Sequence, residues 1–315
     1  MKTVAIIVPA YNEEACLERL HAELDAALRD EPYRFRILIV DDGSTDGTPR
    51  ICRELKTRDP RVGYLRLSRN FGHQAALTAG LDASAGADAA ITLDADLEQP
   101  PAAIPEFLRA WERGAQIVSG VRREGGELGL FKRLSSVLFY KLFNRFSEAP
   151  TAPHSPDFRL LDRAAVQAVC QVREQSRFLR GIYAWAGFEQ NVVEYEPGQR
   201  VGGEPKYSTR KSSSLALSAV LSFSRTPLRL ATYVGVLVSI LAFVYGLYAI
   251  AQSVIFEVAL PGWTSLAVLI SFLSGIQLLT IGVLGEYLGQ VLDEVKRRPL
   301  YLIAEQSLPE DEAGE

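Results

Sequence analysis

Two stretches near the C-terminus, Leu230 to Phe256 and Val258 to Gly285, carry no charged side chain, and only Glu257 separates them. A helix needs roughly 20 apolar residues, at ~1.5 Å rise each, to cross a hydrocarbon core ~30 Å thick. Both runs are longer than that, and helices of globular domains rarely extend so far without charge. The pattern predicts membrane helices over 230–256 and 263–289, joined by a tight turn at Leu260 to Trp263 (LPGW) whose tryptophan suits an interface. Lys206, Arg210, Lys211, Arg225 and Arg229 precede the pair and Lys296, Arg297 and Arg298 follow it, while the connecting turn has no basic residue. Basic flanks stay on the cytoplasmic side, so an integral protein of the inner (cell) membrane with both termini in the cytoplasm is expected. The apolar run Val4 to Ala10 is too short for a signal peptide and is broken by Pro9.

The chain thus divides into a cytoplasmic domain over 1–210, an interfacial segment over 211–229, the two spans, and a cytoplasmic tail over 290–315. In a chain of 315 residues that is 48% hydrophobic, the first part is large enough for its own core. A net charge of −4 gives no footprint for nucleic acid. Cys16, Cys52 and Cys170 are scattered without C-x-x-C spacing, so they read as small buried hydrophobes.

Within 1–210, β-rich runs at Val4–Val8, Arg36–Val40, Gly63–Leu67, Ala89–Leu93 and Gln116–Ser119 alternate with helical patterns at Glu14–Arg29, Thr48–Arg58, His73–Ala83 and Ala103–Arg113. That alternation predicts an α/β domain with a largely parallel sheet and helices on both faces. Ligands of such sheets bind at the carboxyl ends of the strands. The polar clusters fall there: PAYNEE (9–14) after the first strand, DDGSTDGT (41–48) after the second, DADLE (94–98) after the fourth. No G-x-G-x-x-G follows the first strand and no G-K-[ST] occurs, so dinucleotide and P-loop readings lose their main support.

In ITLDADLEQPP (91–101), Asp94, Asp96 and Glu98 crowd three carboxylates into five residues. Like charges so close call for a cation nearby. Oxygen donors suit a hard divalent ion, which commonly bridges to substrate phosphates and stabilises charge on a departing phosphate oxygen. Asp-x-Asp alone is a weak signal, because turns are rich in aspartate; its place at a strand end beside two other acidic loops strengthens it.

The ordered set PAYNEE, DDGSTDGT, NFGHQAALTAGLDAS, DADLEQPP, GVRREGG, DFRLLDR, RVGGEPKY, FSRTPLR and GEYLGQVLDEVKRRPLY resembles the polyisoprenyl-phosphate glycosyltransferases. These are dolichol-phosphate-mannose-synthase-like, inverting family 2 enzymes with a GT-A (Rossmann-like) catalytic domain. The likeness covers almost the whole chain and includes the two spans of the bacterial undecaprenyl-phosphate glucosyltransferase type. It implies a hexosyltransferase that moves one sugar, with inversion, from a nucleotide sugar to polyprenyl phosphate. UDP-glucose is the donor that the likeness favours; GDP-mannose, UDP-N-acetylglucosamine and a UDP-arabinose derivative stay open. A divalent metal, Mg²⁺ or Mn²⁺, and a homo-oligomeric assembly are implied as well.

Carried over residue by residue, the resemblance implies that Pro9, Tyr11, Glu13 and Asp42 hold base and ribose, and Asp94 and Asp96 the sugar-diphosphate. Asp96 and Glu98 would hold the metal, Arg122, Arg200 and Lys206 would face phosphate, and Arg133 and Ser136 would grip the lipid phosphate. Two departures stand out: Glu98 replaces the usual Gln, adding negative charge to the metal shell, and Pro205 replaces the usual Ser, stiffening a loop expected to close over the diphosphate. Asp157 sits where related enzymes with hydroxyl acceptors carry a catalytic base. A phosphate monoester with a second pKa of ~6 needs none near neutral pH, so base and organiser both remain open.

His73 has no evident chemistry and reads as a structural histidine; His21 and His154 read as surface residues. LFKRLSSVLFYKLFNRFS (130–147) and SSSLALSAVLSF (212–223) read as amphipathic helices of the headgroup plane. A processive polysaccharide synthase shares the fold, but the chain has no Q-x-x-R-W segment and too few spans for a channel. A catalytically silent membrane scaffold is disfavoured by the intact carboxylates.

Overall fold

The computed structural model describes residues 1–123, 157–198, 226–255 and 262–309. The chain divides into two compact units, residues 1–213 together with 298–315, and residues 214–297.

The first unit is built on strand β1 (Thr3–Ala10), whose residues from Val4 onward are all buried. A strand covered on both faces reads as a continuous apolar run rather than an alternating one, and TVAIIVPA is such a run. β1 pairs in parallel with β2 (Arg34–Asp41) on one side and β4 (Ala89–Thr92) on the other, and β3 (Val62–Leu67) extends the parallel set beyond β2. Beyond β4 lie β6 (Arg159–Asp162), β5 (Ile117–Arg122) and β7 (Gln190–Tyr195), giving the order β7-β5-β6-β4-β1-β2-β3 with β6 antiparallel to both of its neighbours.

One face of this sheet receives α1 (Leu17–Leu28), α2 (Thr48–Arg58) and α4 (Ile104–Glu112). Leu17, Leu20, Leu24 and Leu28 recur at helical spacing and meet Val4, Ile6 and Val8, while Ile51, Leu55, Phe107 and Trp111 complete the same core. The other face receives α3 (His73–Ala83), which α5 (Arg163–Gln171) packs against in turn. Covered on both sides, α3 is buried from Ala76 to Leu81 and lacks a strong apolar stripe. A short helix α6 (Leu179–Trp185) follows.

The expected strands and helices of residues 4–119 are present within a few residues of their expected bounds, whereas β6, β7, α5 and α6 carry no comparable pattern. The segment read as a cytoplasmic tail over 290–315 contains an element that the sequence pattern does not announce. Its residues Ile303–Ser307 form β8, an antiparallel strand against β3 at the sheet edge. Arg53 forks onto Glu305 through Nε (3.0 Å) and Nη2 (2.7 Å), Tyr64 Oη donates to the same carboxylate, and Tyr301 Oη donates to Asp82 Oδ2 (2.6 Å). The pairing supplies backbone partners that a solvated tail would leave to water.

The second unit holds α7 (Thr226–Ile255, 30 residues) and α8 (Trp263–Lys296, 34 residues), which pack against each other. Tyr233, Phe243, Phe272 and Leu278 are among the large apolar side chains they expose. Among the described residues, one helical stretch, Phe272–Lys296, is long and apolar enough to cross a membrane. It ends beyond the expected limit of 289. The amphipathic helix of 130–147 and most of the segment over 211–229 lie outside the described residues.

His21, expected at the surface, is instead half-buried against Asp59, its Nε2 2.9 Å from Oδ2. Arg61 adds its backbone N–H (2.9 Å to Oδ1) and Nη2 (2.7 Å to Oδ2). Burial alone would raise the Asp59 carboxyl, but these donors outweigh it and lower it to about 2. A carboxyl lowered in the folded state contributes stability that is complete above its unfolded value of ~3.9 and is lost as pH falls toward the folded one. Asp59→Asn should therefore cost about 1–3 kcal/mol at neutral pH. Denaturant unfolding of parent and variant across pH should show that gap closing between about pH 4 and 2.

Candidate active site

The loops after β1, β2 and β3 are fastened to one another at the carboxyl edge of the sheet. Asn12, at φ 55°, uses the tolerance of its side chain for left-handed backbone. Its N–H donates to Ser44 Oγ (2.9 Å), and its Oδ1 accepts from the Thr45 N–H (2.9 Å). The Glu13 N–H donates to Thr48 Oγ1 (2.9 Å), and the Gly47 N–H to Glu14 Oε2 (2.7 Å). PAYNEE and DDGSTDGT are thus one interlocked surface. Pro9 lies buried at the end of β1, and Tyr11 and Glu13 follow on this surface, half-buried.

Asp41 is buried, accepts from the Ser44 N–H (2.8 Å) through Oδ1, and lies 3.4 Å from Arg66 Nε through Oδ2. Asp42 turns toward the β3–α3 loop, where its oxygens accept from the N–H groups of Phe71 (2.7 Å) and Gly72 (2.9 Å). Burial raises the Asp42 carboxyl, against the lowering effect of those two amides. Gly43 is required where the two loops meet: its φ is +69°, and a Cβ there would come 2.4 Å from the Arg69 carbonyl carbon.

After β4, burial alternates along the acidic loop. Ala95, Leu97 and Gln99 point inward, whereas Asp94, Asp96 and Glu98 are half-open. The alternation leaves the three carboxylates on the open side of a turn that follows β4. Leu97 adopts φ 64°, unfavourable for a branched side chain, and holds it while buried. The Gly198 N–H donates to the Glu98 carbonyl (3.1 Å), and a Cβ on Gly198 would lie 2.3 Å from the Leu97 carbonyl oxygen, so the chain after β7 is seated on this loop. Arg122 Nη1, at the end of β5, is 3.9 Å from Glu98 Oε2. Among the described residues, no group of three or more His, Cys, Asp or Glu side chains converges as a ready cage for an ion. The carboxylates nevertheless offer the hard oxygen donors that a divalent cation takes, one or two at a time, alongside phosphates and water.

Asp157, just before β6, is 5% exposed and receives four contacts. Arg180 of α6 donates through Nε (2.9 Å to Oδ1) and Nη2 (3.1 Å to Oδ2), and Gln74 Nε2 donates at 3.3 Å. His73 Nε2 lies 3.3 Å from Asp157 Oδ2 and 3.7 Å from Asp94 Oδ1, so one imidazole stands between two carboxylates. Burial would push the Asp157 carboxyl up, but the His73 contact and the Arg180 charge hold it far below the usual range. Asp94 has less compensation: burial, together with the charges of Asp157 and Asp96, brings it up to about 6 against the pull of His73. Burial disfavours the charged form of His73, yet the Asp157 contact and the Asp94 charge outweigh it and leave the imidazole raised.

Residues 5–170 match the family model described as glycosyl transferase family 2. The chain belongs to that family. Its strand order, with the acidic loop at the carboxyl end of a mostly parallel sheet, is that of a GT-A transferase. Residues 226–291 match a second model, the GtrB C-terminal hairpin. The transferase is 39% identical over 300 residues to the SfII prophage-derived bactoprenol glucosyl transferase of Shigella flexneri, covering 95% of this chain and 97% of that one. It is equally identical to a prophage bactoprenol glucosyl transferase homolog of Escherichia coli K12, over 95% and 98% of the two chains. An uncharacterized glycosyltransferase of Synechocystis is 39% identical over 96% of this chain and 95% of the relative. Among solved structures, Staphylococcus aureus TarS in complex with UDP-GlcNAc matches 72% of this chain and 74% of its own at 19% identity and a TM-score of 0.46, too loosely to bear on the site.

Of the site residues expected from the transferase's sequence, Pro9, Tyr11, Glu13, Asp42, Asp94, Asp96, Glu98, Arg122 and Asp157 all lie near the carboxyl edge of the sheet. Arg133, Ser136, Arg200 and Lys206 lie outside the described residues. His73, read from sequence as structural only, touches two of those carboxylates. Gln74, Gln99 and Arg180 were not anticipated; Gln99 lies inside the DADLEQPP motif, whereas Arg180 is distant in sequence from its partner and has no local signature.

Gly43→Ala tests the interlock, since it forces both the backbone and the Arg69–Asn70 segment to shift. A loss of about 1–3 kcal/mol in unfolding free energy is expected, measured by denaturant titration.

Proposed function

We propose that this transferase moves one glucose from UDP-glucose to a polyprenyl (undecaprenyl) phosphate at the membrane surface, with inversion, leaving a β-linked polyprenyl-phosphate sugar. The carrying observation is the 39% identity to bactoprenol glucosyl transferases over 95% of the chain, and the match to the GtrB hairpin over residues 226–291 supports the membrane setting. In this reading residues 230–256 and 263–289 are two transmembrane helices and the catalytic domain and both termini are cytoplasmic. Other donors, namely GDP-mannose, UDP-N-acetylglucosamine or a UDP-arabinose derivative, would use the same chemistry.

Pro9, Tyr11 and Glu13 line the base and ribose, and Asp42 sets the loop beside them while offering its remaining lone pairs. Asp94 and Asp96 face the sugar-diphosphate. Arg122, with Arg200 and Lys206 from the segment that follows Gly198, offsets phosphate charge. Arg133 and Ser136 take the lipid phosphate. A divalent metal held through Asp96 and Glu98 would supply Lewis-acid stabilisation of the leaving diphosphate.

The acceptor phosphate oxygen attacks the anomeric carbon, the bond from that carbon to the diphosphate breaks, and UDP departs with the electron pair. With a second pKa of ~6 the acceptor is mostly dianionic at neutral pH, so no proton must be removed. That matches the surroundings of Asp157: a buried carboxylate with four donor contacts organises its neighbours and is poorly placed to accept a proton.

Membranes containing the transferase, given radiolabelled UDP-glucose and undecaprenyl phosphate, should move label into organic-extractable lipid. Label in polymer would point to a processive synthase, and preference for GDP-mannose in a competition panel would overturn the donor. Excess chelator should abolish transfer, with Mg²⁺ or Mn²⁺ restoring it. Asp96→Asn should lower turnover by roughly two or more orders of magnitude while leaving membrane insertion intact. Lys206→Ala should lower kcat more than it weakens donor affinity, as expected of a contact that strengthens in the transition state.

A further inference from the structure

Both carboxylate oxygens of Asp94 in the acidic loop have close partners. Its backbone N–H donates to Gln99 Oε1 (2.8 Å), and Gln99 Nε2 returns a bond to Asp94 Oδ2 (2.6 Å). A single amide therefore closes a ring with the main chain and side chain of the same residue, which fixes the Asp94 side-chain rotation. The amide that does so is 2% exposed. The other oxygen, Oδ1, faces His73 Nε2 at 3.7 Å, and that ring is held in turn by Asp157, which Arg180 and Gln74 anchor. Without the imidazole between them, Asp94 and Asp157 would face each other as like charges.

We infer that Gln99 and His73 are positioning residues for sugar transfer: together they hold the Asp94 carboxylate in its working orientation before the nucleotide sugar arrives. Neither needs to touch the substrate. Support of this kind around a ligand-facing carboxylate commonly contributes 10–100-fold to affinity or turnover, since a group held loosely spends binding energy on its own ordering. The buried Gln99 also explains the alternation of the loop. Its inward amide is the counterpart of the outward carboxylates, and Leu97 accepts a left-handed backbone in the turn that brings residue 99 back under residue 94.

The inference rests on the reading that Asp94 faces the donor, so its test is read without acceptor as well as with it. The full chain in detergent micelles with Mn²⁺ is titrated with UDP-glucose by calorimetry, and kcat and KM are measured separately for transfer to undecaprenyl phosphate. Gln99→Ala and His73→Ala should each reduce UDP-glucose affinity or kcat by about 10–100-fold, with the KM for acceptor unchanged. Gln99→Glu, which keeps the acceptor for the Asp94 N–H but sets a second carboxylate against Oδ2, should be at least as damaging as Gln99→Ala. His73→Gln, able to bridge by hydrogen bonds alone, should recover part of what His73→Ala loses, and that recovery should vanish in an Asp157→Asn background.

Circular dichroism identifies the variants that stay folded; the near-isosteric Gln99→Glu and His73→Gln cover the case in which an alanine variant does not. Folded variants with parental affinity and parental kcat, lowered only in melting temperature, would make the two residues structural and overturn the inference. Parent chain that binds UDP-glucose but does not glycosylate undecaprenyl phosphate would defeat the acceptor reading alone and leave the affinity comparison decisive. If UDP-glucose does not bind, the nucleotide sugar that wins the donor panel replaces it as probe; parent chain that binds none of them would overturn the donor-facing role of Asp94 and this inference with it.

Discussion

Everything at the site depends on the parallel pairing of β1 with β2 and β4. Because parallel strands run in one direction, their carboxyl ends arrive at the same edge, and the loops that leave them have nowhere else to go. The register is specific: Ala10 stands opposite Asp41, and Ile7 opposite Thr92. A one-residue slip would turn every side chain of β1 to the opposite face and carry the acidic loop out of reach of its partners. Burial on both faces removes that freedom, and so the apolar run TVAIIVPA is as much a condition of the site as any carboxylate.

Several acidic groups then share a small volume, and the structure manages them by unequal treatment. Asp157 is deeply buried and over-supplied with donors, and so stays ionised as an anchor. Asp42 spends its oxygens on backbone amides and shapes the loop that presents His73. Asp94 is held by one amide and one imidazole, with its carboxyl lifted toward neutrality. Asp96 and Glu98 remain on the open side of the loop. Burial and the choice of charge partner thus set neighbouring carboxylates apart, the way functional sites assign different states to groups of one kind.

Much of this was legible in the sequence because it is written locally. Strands β1 to β5 and the four helices among them each carry a local signal, a continuous apolar run in β1 and an apolar stripe in α1, α2 and α4, and the polar motifs follow directly after the strands that position them. What escaped notice is what depends on distant partners. β6 is four residues long and acquires its identity from Ala89 to Thr92, against which it lies antiparallel. Arg180 becomes a site residue only because α6 folds back to the end of β4, and no spacing rule connects it with Asp157. His73 looked ordinary because a lone histidine at the start of a helix has no fixed meaning; its role comes from two carboxylates contributed by separate loops. The two long C-terminal helices, α7 and α8, present the reverse case, since charge-free runs are conspicuous in sequence whatever they pack against.

The C-terminal strand adds a constraint of another kind. The compact unit of residues 214–297 is an insertion in chain order, with the first unit supplying residues on both sides of it. After α8 the chain returns to the same sheet it left, and β8 closes the β3 edge that would otherwise offer an open ladder. The return is secured by side chains from three elements, Arg53 of α2, Tyr64 of β3 and Asp82 of α3, so the strand is bound by more than backbone pairing. Asp82 and His73 belong to the same helix, and Asp82 is also gripped by Arg173 through 2.7 and 2.9 Å contacts. One end of α3 is therefore fixed by the returning chain, while its other end holds the imidazole between Asp94 and Asp157. The helix that orients the site is tied at its far end to the segment leaving the hairpin, which gives the returning chain a physical stake in site geometry that a free tail would not have.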